Sequence, residues 1–129
     1  MTRSTEPGSV TAFVVGIVLT IFTCGALVVD GGKIVRDYLR FADLAENAAR
    51  SGTQELRSLR SGNPTIDPSP AKRAALSYLA SRGIEGDVVV RDNTIVVTVR
   101  ATVDFVLLDV IGLRGTSVTV TRSAEPVAA

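Results

Sequence analysis

Residues Val10 to Val29, VTAFVVGIVLTIFTCGALVV, run for 20 residues without a charge, a proline or an amide side chain. A helix needs roughly 20 such residues to cross the ~30 Å apolar core of a bilayer. Charge returns at once with Asp30 and Lys33. The stretch therefore reads as one membrane-spanning helix, and the rest of the chain as what it anchors. A cleaved signal peptide is the competing reading, because Cys24-Gly25-Ala26 resembles a small-residue cleavage site. The run is longer than a usual signal core, however, and Leu27-Val28-Val29 continue it past the supposed cut.

Charge leaves the orientation open. Arg3 and the amino terminus precede the span, and Lys33, Arg36, Arg40 and Arg50 follow it. Counting Lys and Arg alone, the positive-inside rule favours a cytoplasmic C-terminal side, whereas a short tail carrying Arg3 also fits an N-terminus inside. Within the span, Ala12, Gly16, Thr20 and Cys24 recur every fourth residue. On a helix they form a stripe of small side chains that lets a second helix approach closely.

A second helical pattern runs from Lys33 to about Arg60, after Gly31-Gly32, where a bend or hinge is expected. Val35, Tyr38, Ala42, Ala45, Ala49, Gly52, Leu56 and Leu59 follow alternating spacings of three and four, a heptad seam whose middle is small. Such a seam suits close packing on neighbouring helices or on the chain's own sheet. The expected organisation is a tail at 1–9, the span at 10–29, the heptad helix at 30–62 and a small domain at 63–129.

In that domain, Ser69-Pro70 reads as an N-cap and first turn, opening a helix from Pro70 to Arg82 that Gly83 ends. Ala71, Ala75, Tyr78 and Leu79 fall on one face. Val88-Val89-Val90 reads as a strand and Arg91-Asp92-Asn93 as a turn. From Ile95 to Phe105 apolar and polar residues alternate, as in a strand with one face on a core. The segment Phe105–Leu113, FVLLDVIGL, is too apolar for an ordinary surface loop. It reads as a short helix, or as a loop that tucks under the sheet or touches lipid. A last strand covers Thr116 to Ser123. The fold class is α+β: a long N-terminal membrane-spanning helix continuing outside the membrane, packed on one short helix and an antiparallel sheet of about three strands.

The composition bounds the chemistry. There is no His, and Cys24 is the one cysteine, so neither a His-dependent catalytic triad nor a Cys/His metal cluster can be built. No glycine-rich phosphate loop follows a strand, and Asp104 and Asp109 read as a solvated charge and a turn residue rather than an acid pair. A net charge of +1 does not fit a dedicated nucleic-acid binder. The expectation is a protein that is no enzyme, with no cofactor, no metal, no nucleic acid and no small-molecule substrate.

The layout of Gly8-Ser9-Val10-Thr11, the span, Val28-Val29-Asp30-Gly31-Gly32 and the alanine-rich Leu44-Ala45-Glu46-Asn47-Ala48-Ala49-Arg50-Ser51-Gly52 resembles TadE/TadG-like proteins. These are pilin-like components of tight-adherence (Flp, type IVc) pilus systems. The resemblance implies a pilin-like or minor-pilin subunit in the cell (plasma or inner) membrane, with a cytoplasmic N-terminus and an extracytoplasmic domain, or a place in an extracellular filament. It implies a prepilin-peptidase cut between Gly8 and Ser9. It also implies other pilin-like subunits and pilus assembly-platform proteins as partners, in homo- or hetero-oligomers, beside the lipid bilayer itself. Pilin-like proteins often carry a glutamate just before a Phe early in the span, whereas here Ala12 precedes Phe13. An unprocessed, single-pass binding or sensing accessory is the alternative expectation.

Overall fold

The computed structural model describes residues 7–55 and 65–127. Its longest element is helix α1, Pro7–Thr53, 47 residues in one piece, or ~70 Å at 1.5 Å per residue. The glycine pair does not mark a break: Gly31 and Gly32 are helical, and a Cβ at either would meet nothing within 4 Å. The helix also stops earlier than its seam suggests. It ends at Thr53, whose hydroxyl donates to the Arg50 carbonyl, and the Glu55 N–H turns back onto the Gly52 carbonyl. Leu56 and Leu59 lie outside the described residues.

Helix α2 spans Pro68–Ala80, two residues earlier at each end than the sequence reading placed it. Asp67, not Ser69, is the N-cap; its carboxylate accepts the Ser69 N–H, and Pro68 takes the first-turn position where no N–H is needed. At the other end Gly83 has φ +67°. The N–H of Gly83 bonds the Ala80 carbonyl and that of Ile84 bonds the Leu79 carbonyl, a Schellman closure with Ile84 brought against Leu79.

Three strands follow in a meander, β1 (Gly86–Arg91), β2 (Thr94–Asp104) and β3 (Gly115–Ala124), all antiparallel in the order β1-β2-β3. Asp92 and Asn93 both have positive φ, 46° and 67°, the type I′ geometry that matches the strand twist in a two-residue hairpin. Asn93 also reaches outside the turn, accepting the Ile66 N–H at 2.7 Å. The long connection between β2 and β3 contains a short 3₁₀ helix, η1, at Leu108–Ile111.

The core forms where the C-terminal half of α1 lies on α2 and the inner face of the sheet. Phe41, Ala42, Ala45, Ala48 and Ala49 meet Ala71, Ala75 and Leu79 of α2 and Val88, Ile95, Val97, Val99, Val103 and Val120 of the strands. The small seam is the reason the helix can approach so closely. A Cβ on Gly52 would lie 2.5 Å from the Ile95 δ-methyl and 3.0 Å from the Ala71 carbonyl oxygen. Among the described residues, nothing packs in this way on α1 from Val10 to Phe22. Its large apolar side chains there stand exposed, and the helix is long and apolar enough to cross a membrane.

Candidate functional site

A polar junction between α1 and the β2–β3 connection lies where the apolar stretch ends. Asp30 is the first charged residue after it, and is 1% exposed. Its carboxylate accepts four contacts from three consecutive backbone N–H groups: Val106 at 2.8 Å, Leu107 at 3.3 and 3.0 Å, and Leu108 at 2.7 Å. One turn on, Lys33 donates to the Asp104 carbonyl at 2.7 Å and pairs with Asp37 at 3.5 Å. The β2–β3 connection is thereby fastened to α1 at both of its first charged positions.

The chemistry of the connection explains why it needs Asp30. The residue preceding η1 is Leu107, which offers no side-chain cap, and Phe105 and Val106 offer none either. Helix-initiating N–H groups without a partner are costly to bury. A carboxylate from a residue more than seventy positions earlier supplies the acceptor. The far end closes locally: Gly112 has φ +88°, its N–H bonds Asp109, and Leu113 N–H bonds Leu108. Phe105 N–H to the Arg114 carbonyl then seals the base of the loop. Burial by itself raises the Asp30 pKa. The N–H groups of Leu108, Val106 and Leu107, with the charge of Lys33, outweigh that and hold it below its ordinary 3.8.

This junction was not legible as a site in the sequence, where Asp30 marks only the return of charge. The available signal was indirect: an apolar short helix with no capping side chain of its own must borrow one.

The positions singled out from the sequence are distributed as follows. Gly8 and Ser9 lie in the first turn of α1, exposed. Ala12, Gly16 and Thr20 line a shallow groove with Phe13, Ile17 and Ile21, and Cys24 is exposed as a free thiol further along the helix. Thr20 returns its hydroxyl to the Gly16 carbonyl at 2.8 Å. Of the heptad seam, Ala42, Ala45, Ala49 and Gly52 are buried inside the chain's own domain, while Val35 and Tyr38 are exposed. The seam is thus used internally along its middle and turns away from the domain at its start.

Comparison with protein-family models, curated proteins and solved structures returned no match.

The chemical inventory of the domain is short. Among the described residues no group of three or more His, Cys, Asp or Glu could hold a metal ion, and no buried side-chain nitrogen or oxygen lacks a hydrogen-bond partner. The depressions of the domain surface are open. One runs past Phe41, Ile84, Arg100 and Ser117, and its neighbour is edged by Glu85, Asp87, Thr98 and Arg100.

Proposed function

We propose that this chain is a membrane-anchored, pilin-like assembly subunit, of the TadE/TadG-like kind that its layout resembles. The observation that carries the reading is a line of exposed apolar residues on α1. Ile21, Val28, Val35 and Leu39 fall on one side of the helix, all well exposed, at spacings that keep them in register over five turns. They lie on the side away from Asp30, Ala45 and Ala48, which face the domain. The line starts inside the apolar stretch and continues past Gly32. A helix that only anchored its domain would need apolar residues within the bilayer alone. One that packs side by side with other single-span helices benefits from continuing the line outside it. The extracytoplasmic placement of the domain, and processing between Gly8 and Ser9, belong to the same proposal.

The test is chemical. With Cys24 replaced by Ser, single cysteines at Val35, Leu39 and Asp87 are introduced into the full chain, labelled through the thiol with a maleimide–benzophenone and irradiated in native membranes. Cross-linked species containing a second copy or another single-span pilin-like protein are expected at Val35 and Leu39 and not at Asp87 on the sheet edge. Recovery at every position as an unassociated monomer would overturn the reading. The mature N-terminus, read by mass spectrometry of the extracted protein, tests the processing step: a start at Ser9 supports it and an intact Met1 or Thr2 removes it.

A further inference from the structure

The β2–β3 connection presents its apolar residues outward. Val106 is 58%, Val110 74%, Ile111 60% and Leu113 51% exposed, although Leu108 between them is buried. Singly exposed apolar residues need no explanation, but four on one short loop form a patch. The fold also fixes the height of this patch along α1. The Asp30 carboxylate holds the loop at Val106–Leu108, and Lys33 holds the strand end at Asp104. Ala26, one turn back toward the N-terminus on the same side as Asp30, is also buried, at 1%. It is the one buried residue among Gly8–Val29. The domain therefore reaches down over the last turn of the apolar stretch itself. The patch sits where the stretch gives way to charge, at the level a bilayer surface would occupy.

We propose that the tip of the β2–β3 connection is a second membrane contact, in which Val106, Val110, Ile111 and Leu113 insert into the interfacial layer of the lipid bilayer beside the chain's own span. This rests on reading residues 10–29 as that span. Continuity with the span identifies lipid as the occupant: a loop pinned at residue 30 meets the bilayer that ends there without any change of conformation. Of the charged residues in and beside the tip, Asp109 is a carboxylate and Arg114 a cation at the base of the loop, so the tip carries no net basic charge. The contact is thus driven by apolar insertion rather than by attraction to anionic lipid. Its consequence is mechanical. The domain is held at two points and keeps one orientation to the membrane plane, rather than swinging on a single stalk.

The chain contains no Trp, so each single Trp becomes its only indole reporter, and Trp favours this layer of a bilayer. Full-length Val110→Trp and Ile111→Trp are reconstituted into phosphatidylcholine vesicles with and without brominated acyl chains, beside Val18→Trp in the span and Ser123→Trp at the far end of β3. Blue-shifted emission and loss of intensity in brominated lipid are expected for Val110→Trp and Ile111→Trp, approaching the loss seen for Val18→Trp, with none for Ser123→Trp. Quenching of Val18→Trp alone would overturn the proposal and leave the span in place. No quenching at any position would overturn both. A blue shift at 110 and 111 without lipid quenching would mean that another protein surface covers the tip, and would also overturn it. All four positions are exposed, so the substitutions disturb no core contact.

Discussion

A single carboxylate decides how the β2–β3 connection sits. Asp30→Asn keeps the shape of the side chain but replaces one acceptor oxygen with a donor that faces N–H groups. The amides of Val106, Leu107 and Leu108, now bonded to Asp30, should lose hydrogen-exchange protection, while those of β1 and the centre of β2 keep theirs. The same residue sets a pH limit. Its folded pKa lies below its ordinary 3.8, so its contribution is complete above that value and is lost as the pH falls through the folded one. Protection at these three amides should therefore hold from neutral pH down to roughly pH 5 and decline only in stronger acid. A decline already near neutrality would show that another group controls the loop. Gly52 is the second residue where one atom matters. Gly52→Ala gains helix propensity, yet its methyl meets the Ala71 carbonyl oxygen and the Ile95 side chain. Ile95 can turn aside, but the backbone carbonyl cannot. The expected outcome is a net loss of about 1 kcal/mol, at the low end of overpacking costs, read as a lower denaturation midpoint in detergent.

At the scale of elements, the β1–β2 hairpin was legible because its turn has few chemical solutions. Arg91-Asp92-Asn93 before an alternating strand requires residues that tolerate positive φ, and Asp92 and Asn93 supply them. Asn93 serves twice, since it also receives the Ile66 N–H, and the two roles can be separated. Asn93→Gly keeps the turn and should cost about 1 kcal/mol for the lost hydrogen bond. Asn93→Ala loses the bond and also strains a left-handed residue, for about 2 kcal/mol or more in total. Equal midpoints for the two variants would show that the turn geometry is not what Asn93 supplies. The long helix, the short helix and the alternation of β2 were readable from periodicity for the same kind of reason. The misplacements have local causes. Asp67 out-competes Ser69 as a cap because it precedes Pro68, which already fills the first-turn position. A pair of glycines lowers helix propensity without breaking a helix anchored by packing at Phe41–Ala49. The Asp30 junction was not readable because it joins residues more than seventy positions apart, and spacing patterns carry only local geometry.

At the scale of the whole molecule, the helix that is long and apolar enough to cross a membrane is also part of the domain. Five of the fifteen residues in the buried cluster, Phe41, Ala42, Ala45, Ala48 and Ala49, come from α1. Among the described residues, the other cover of the three-stranded sheet is the 13-residue α2 with Ile66 before it. A domain of roughly 60 residues is already near the limit at which burial outweighs chain entropy. Without α1, the inner face at Ile95, Val97, Val99 and Val120 loses a large part of what covers it. A fragment comprising residues 63–129 should therefore remain unfolded or molten, with collapsed amide dispersion in NMR spectra and no cooperative thermal transition. A fragment beginning at Lys33 should fold cooperatively, because it restores every α1 residue of the cluster while omitting the apolar stretch. Adding a peptide of residues 33–55 to the 63–129 fragment should recover dispersion in proportion to peptide bound. If the 63–129 fragment folded cooperatively by itself, α1 would be an external stalk on a self-sufficient head. The alanine seam would then be free to serve contacts with other chains.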